Sequence, residues 1–198
     1  MTKLLYQGHG SYRITTQNGQ VIYVDPYAGE GYELPADIVL ITHNHHDHNK
    51  IELITQKNGC KIITNKEALT NGQHNKFSID NIEIEAVEAK NLMHNSKSCV
   101  GFIITIDGIQ IYCSGDTSKT QQMQTFAKRK INYALLCGDG VFNMGLKEAA
   151  ECAKLIDAKH NILIHVKPGK LFDLPKVQKW DAPNKLIVQP NEEIDLLP

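Results

Sequence analysis

No CxxC pair occurs in this 198-residue chain, and its five cysteines (Cys60, Cys99, Cys113, Cys137 and Cys152) are odd in number and scattered. That argues against a disulfide framework and leaves the thiols as small buried hydrophobes in a reducing compartment, which points to the cytoplasm. No apolar run approaches the roughly 20 residues of a membrane span, and the opening MTKLLYQGHGSYRI lacks the apolar stretch of a secretory leader. Charge of one sign is missing too: 21 Lys and Arg face 22 Asp and Glu, for a formal net charge of −1. No global field draws nucleic acid or an anionic membrane, so neither is an expected partner. Low-complexity stretches, linker composition and repeats are absent, so one domain over residues 1–198 is expected. At 41% apolar residues the chain can still bury a core.

The patterning is strand-rich in the first half. SYRITTQNGQVIYVDP alternates around Asn18-Gly19, a strong short hairpin signal. DIVLIT (37–42) is apolar up to its last residue and reads as a strand buried on both faces. NKIELITQKNG is expected as a short helix ending near Gly59, followed by a strand in CKIIT and a helical piece in KEALT. IEIEAVEA alternates, and VGFIITIDGIQIYCSGD forms a second hairpin turning at Asp107-Gly108. Later, KTQQMQTFAKRK places Met123, Phe126 and Ala127 on one helical face, and LKEAAECAKLIDA does the same with Ala149, Cys152, Ala153 and Ile156. YALLC and NILIH are buried-strand candidates, and KLIVQPNEEIDLL closes with two strands around a turn. Hairpins early and alternating strands and helices late predict an α/β fold with sheets covered by helices.

Histidine is what the chain has in quantity, nine in all. Four of them fall in ITHNHHDHNK. Other polar groups follow predicted strands in the same way: Asp25 ends VIYVD, His94 follows IEIEAVEA, Asp116 follows IQIYCSG and His165 ends NILIH. Groups beyond the carboxyl ends of strands are the usual place for a site. In an extended segment residues i and i+2 point the same way, so His43 and His45 can serve one ion. Asp47 and His48 then face a neighbouring point. Imidazole and carboxylate suit zinc, manganese or iron, and a lone carboxylate from another strand end, Asp116, suits a bridge between two ions. A fortuitous histidine-rich loop would not predict His94, Asp116 and His165 at three other strand ends.

These residues resemble the metallo-β-lactamase superfamily: THNHHDH matches its HxHxDH signature at His43, His45, Asp47 and His48. GHGSYRI…VIYVDPY, AKNLMH, VGFIITIDGIQIYCSGDT and GVFNMGLKEAAECAKLIDAKHNILIHV are similar to blocks of its small metal-dependent hydrolase branch, which includes L-ascorbate-6-phosphate-lactonase-like proteins. The resemblance implies a four-layer αββα sandwich of two similar halves with the site along one edge. It also implies that His43, His45 and His94 hold one divalent ion, that Asp47, His48 and His165 hold a second, and that Asp116 bridges them. Asp25 is expected to orient a ligand through hydrogen bonds.

The implied function is a metal-dependent hydrolase with two ions, zinc first and Mn2+ or Fe2+ as alternatives. Two ions about 3.5–4 Å apart share a water whose pKa falls from about 15.7 toward 7, and the bridging hydroxide attacks an ester, lactone, amide or phosphoester. Asp47 both binds metal and accepts the proton. The competing readings are an iron-dependent oxidoreductase on the same fold and a non-catalytic metal-binding protein. His9, Asn91, Asp139 and Lys167 are the candidates for touching a small-molecule substrate, with Lys167 placed to hold an anionic one. His46 has no assigned role and is expected to point away from the metals. Trp180 and Phe172 are read either as a mobile cover or as packing for the C-terminal segment. No sequence feature decides the oligomeric state.

Overall fold

Turn chemistry and alternation account for most of the strands. In the computed structural model, which describes residues 1–93 and 96–198, the first sheet begins with β1 (Lys3–Gly8), β2 (Ser11–Thr15), β3 (Val21–Val24), β4 (Ala36–Leu40) and β5 (Gln56–Ile63). A four-residue α1 (Asn65–Ala68) and a small ribbon, β6 (Leu69–Thr70) with β7 (Gln73–His74), lead to the second sheet. That sheet contains β8 (Lys76–Ile79), β9 (Ile82–Glu88), β10 (Val100–Ile106), β11 (Ile109–Cys113), β12 (Tyr133–Cys137) and β13 (His160–Ile164). Helices α2 (Leu146–Ile156) and α3 (Leu174–Lys179) flank β13, and β14 (Glu193–Asp195) returns to pair antiparallel with β1.

Both sheets have six strands, ordered β14-β1-β2-β3-β4-β5 and β13-β12-β11-β10-β9-β8. The halves repeat one plan. β1, β2 and β3 form an antiparallel meander, after which β4 and β5 add in parallel. β9, β10 and β11 do the same, followed by parallel β12 and β13. Each meander turns where expected. Gly19 sits at φ +80, and Asp107 and Gly108 both take positive φ (50 and 77), the requirement of a tight primed turn.

The sheets face each other across one core, built from Ile14, Ile22 and Leu40 on one side and Ile84, Phe102 and Leu135 on the other. The outer face of the second sheet is covered by α2 through Ala149, Cys152, Ala153 and Ile156. Tyr23, Val39 and Ile41, on the outer face of the first, are covered by loop residues such as Tyr32 and Leu34 and by Ile54. The outer layer of that half is therefore thin. At the site edge the sheets are joined directly: Val100 N–H donates to Thr42 O at 3.0 Å, and His43 bridges Cys99.

Four local expectations change. NKIELITQKNG is a single 3-10 turn (Ile51–Leu53), and its last four residues belong to β5, because pairing with β4 captures the chain from Gln56 onward. Gln122–Arg129 is 3-10 rather than α. At three residues per turn Met123 and Phe126 stay buried, but Ala127 rotates out to solvent. In KLIVQPNEEIDLL only Glu193–Asp195 forms a strand, and Pro190, with no N–H to give, interrupts the rest. Finally α3 is new, although DLPKVQK carries its signals: Asp173 caps the Lys176 N–H and a proline sits in the first turn. Trp180, fully buried, and Phe172, edge-on to Tyr6 at 6.0 Å, both pack the C-terminal segment. Among the described residues no helix is long and apolar enough to cross a membrane.

Candidate metal centre

Five loops leave the carboxyl ends of strands at one edge of the sandwich. Asp25 follows β3, the His43–His48 segment follows β4, Asp116 follows β11, Asp139 follows β12 and His165 follows β13. His9 joins them from the turn after β1. Three of these residues have left-handed backbones: His9 (φ 55), Asp25 (φ 46) and His165 (φ 47). Such conformations cost roughly 1–2 kcal/mol each for a non-glycine residue and persist where surrounding bonds hold them. Here His165 N–H donates to His9 O at 2.7 Å, His9 N–H to Leu171 O at 2.6 Å and Asp25 N–H to Leu40 O at 3.0 Å. Glycine is required at Gly115 (φ +57), where a Cβ would stand 2.9 Å from both Thr42 Cβ and Val100 O.

Asp25 is the organising group. One oxygen accepts from Thr42 N–H at 2.8 Å; the other accepts from Thr42 Oγ1 at 2.6 Å and from His48 Nδ1 at 2.8 Å. A carboxylate can only accept, so His48 carries its proton on Nδ1 and turns Nε2 inward. The Thr42 hydroxyl has given its one proton to Asp25, so it accepts from His43 Nδ1 at 3.0 Å, and His43 takes the same tautomer. His165 Nδ1 faces Asp139 Oδ2 at 3.4 Å. Hydrogen bonds thus hold the His48 and His43 rings with Nε2 toward a common centre, and the His165 ring, packed on that of His9 with centres 3.7 Å apart, turns its Nε2 the same way. Asp116 Oδ1 lies 3.4 Å from His48 Nε2 and 3.4 Å from His165 Nε2, and Asp116 Oδ2 lies 4.0 Å from His43 Nε2.

This donor set fits divalent metal. His48 Nε2, His165 Nε2 and Asp116 Oδ1 are buried without a hydrogen-bond partner, although buried polar atoms normally have one. Ligand atoms lie within 4.8 Å of one another in two groups: His43, His48 and Asp116; and His9, Asp47, His48 and His165. Burial disfavours the charged form of each group, yet their mutual attraction prevails. Asp116 is held at about 2 by His48, His165 and His43. The His9 hydrogen bond and the His48 charge hold Asp47 well below the usual carboxylate range. Asp116, Asp25 and Asp47 lift His48 to about 9.

The expected residues fall as follows. His43, Asp47, His48, Asp116 and His165 come together, and His45 is exposed beside them with its ring 4.6 Å from that of His43. His94 lies outside the described residues. An open cavity of about 390 Å3 lies above the cluster, with Asp47, Asp116 and His165 at its base and Met93, Phe142 and Pro168 around it. His46, expected to point away from the metals, is 80% exposed at its side chain but lines the cavity, with Nδ1 3.8 Å from Asp47 Oδ1. None of His9, Asn91, Asp139 or Lys167 lines the cavity. His9 is fully buried between Asp47 Oδ2 (3.1 Å) and Lys170 O (3.0 Å), with its ring 3.7 Å from that of His165. Asn91 is bonded to Asn143. The Asp139 carboxylate closes the turn after it, and Lys167 faces Asp173 at 3.6 Å. Sequence reasoning missed that His9 belongs to the ligand cluster. The only signal was a histidine between two glycines.

The family model for the beta-lactamase superfamily domain matches residues 3–165, and the chain belongs to that family. It is similar in particular to a metal-dependent hydrolase of Pyrococcus furiosus, at 27% identity over 99% of this chain and 100% of the relative. That alignment is 228 positions long against 198 residues here, so the relative carries segments with no counterpart in this chain. A crystal structure described as that of a metal-dependent hydrolase from Parabacteroides distasonis superposes with a TM-score of 0.76 at 30% identity, covering 94% of this chain and 92% of that one. A metallo hydrolase of Ignicoccus hospitalis shares the fold at the same TM-score and 23% identity, covering 98% and 97%. These matches establish the superfamily without distinguishing the lactonase-like branch within it.

Proposed function

We propose that the chain is a hydrolase dependent on two divalent ions, zinc first, cleaving an ester, lactone, amide or phosphoester bond of a small molecule. One observation carries this reading: the unpartnered Nε2 atoms of His48 and His165 converge on Asp116 beneath an open cavity. His43, His45 and His94 are the proposed ligands of one ion, Asp47, His48 and His165 those of the other, and Asp116 serves both. Bound there, divalent ions acidify water from about 15.7 toward 7 and polarise the electrophile's oxygen. The protein supplies the rest. Asp25 fixes the tautomer of His48 directly and that of His43 through Thr42. The Asp139 carboxylate faces His165 Nδ1 at 3.4 Å, on the side away from the metals. His9 anchors Asp47 Oδ2 and keeps the carboxylate ionised, leaving Oδ1 to take the proton of the attacking water. The core that joins Leu4 to Leu196 supports a single domain, and five free cysteines support a reducing, cytoplasmic setting.

The test strips the protein with chelator, reloads it with zinc, manganese or iron(II), and assays lactone, thioester, phosphodiester and lactam substrates. Hydrolysis that disappears with chelation, returns with metal and is lost in Asp116→Ala is the expected result. Redox-active iron with no hydrolysis across the panel would refute the reading. So would an Asp116→Ala protein with full activity and normal metal content.

A further inference from the structure

The cavity has a wall that the chemistry above leaves unused. Leu92 and Met93 on one loop and Val141 and Phe142 on another are 96%, 65%, 64% and 46% exposed. Of these, Met93 and Phe142 line the opening. Both described segments are tied by hydrogen bonds. Asp139 Oδ1 accepts from the N–H groups of Val141 at 2.6 Å and Phe142 at 2.8 Å, so the turn carrying Phe142 is closed by its own aspartate. Asn143 Nδ2 donates to Asp139 Oδ2 at 2.6 Å, Asn91 Nδ2 donates to Asn143 Oδ1 at 2.6 Å, and Met93 N–H donates to Asn91 Oδ1 at 2.8 Å. One chain of hydrogen bonds therefore links the main chain of Phe142 to that of Met93, and both side chains line the mouth. Backbone groups bonded in this way, with apolar side chains left in water, make sense when a ligand covers them.

Charge points the same way. Among the described residues lining the cavity there is no lysine or arginine. The nearby cations are engaged elsewhere: Lys167 faces Asp173, and Lys176 Nζ donates to the main-chain oxygen of Asp139. The formal side-chain charges in the lining, Asp47 and Asp116, belong to the proposed metal ligands, so no charged side chain of the wall is left to pair with the far end of a substrate.

We infer that Met93 and Phe142 form the wall that binds an apolar arm of the substrate. The substrate class is an ester, lactone or amide with an uncharged alkyl or aryl acyl group. This rests on the hydrolase reading and narrows it.

Two series separate the claims. p-Nitrophenyl esters from acetyl to octanoyl, with bis(p-nitrophenyl) phosphate, are assayed on zinc-loaded protein. kcat/KM rises about fourfold per methylene, the equivalent of about 0.8 kcal/mol per buried CH2, and the phosphodiester is the poorest substrate. Acetohydroxamic to octanohydroxamic acids, which bind metal without turnover, are titrated calorimetrically into the same protein, and their Kd falls with the same slope. Phe142→Ser and Met93→Ser, both at exposed loop positions, make the slopes shallower. A hydroxamate slope with no ester cleaved sinks the hydrolase reading and the substrate class with it, and leaves the apolar wall standing as a ligand-binding surface. Hydroxamates that bind no better with a long arm than a short one overturn it, as does an undiminished slope in both variants. A preference for the phosphodiester over the neutral esters overturns it too.

Discussion

Replacing Asp25 with asparagine changes one oxygen to an NH2 and nothing else in shape, and the left-handed backbone at φ 46 tolerates asparagine as well as aspartate. The electronic consequence is large. If the amide oxygen keeps the Thr42 N–H bond, its NH2 faces Thr42 Oγ1 and His48 Nδ1, both of which donate in the wild type. His48 must then accept at Nδ1, which leaves its one proton on Nε2, where metal would bind. The Thr42 hydroxyl, now accepting from the amide, turns its proton to His43 Nδ1 and inverts that ring too. Both inward lone pairs disappear. Metal can restore them only by flipping the amide, which sets its NH2 against the buried Thr42 N–H. That conflict costs about 1–3 kcal/mol, the penalty of an unsatisfied buried donor, so metal affinity falls roughly 10- to 100-fold. The assay is competition against a chromophoric chelator, with circular dichroism to confirm folding. An Asp25→Asn protein that is folded and binds metal within twofold of wild type would refute the tautomer argument.

Three further outcomes are expected. His48 is protonated below about pH 9 in the metal-free chain, so metal must displace that proton; affinity rises about tenfold per pH unit up to pH 9, and calorimetry at pH 7 in buffers of different ionisation enthalpy registers proton release. Chelation lowers Tm, because an ion at a hundredfold excess over its Kd adds about 2.7 kcal/mol, but far-UV circular dichroism is retained, since the core between the sheets contains none of the clustered histidines or aspartates. Gly115→Ala forces a Cβ against Thr42 and Val100 O at positive φ and destabilises by about 2–5 kcal/mol in urea denaturation; a loss under about 1 kcal/mol would contradict the close approach.

Much of the fold was legible because its signals are local. Asn18-Gly19 and Asp107-Gly108 specify their hairpins through backbone sterics that need no tertiary partner. The apolar runs of β4, β12 and β13 signalled buried parallel strands, and their carboxyl ends deliver His43, Asp139 and His165. Where local signals were weak, pairing decided. Residues 56–59 joined β5 although they read as the end of a helix, and the 3-10 winding of Gln122–Arg129 turned out Ala127.

The sequence by itself determined the ligand types and their grouping after β4, because His43, His45, Asp47 and His48 are neighbours along the chain and strand periodicity sets where they point. Only the tertiary structure decided what surrounds them. His9 reaches Asp47 across 38 residues, Asp25 reaches His48 across 23 and Asn91 reaches Asn143 across 52. Those partnerships depend on how two sheets pack and where their loops meet. No short stretch of chain encodes that, so the tautomers of the histidines and the apolar wall above them were settled by packing alone.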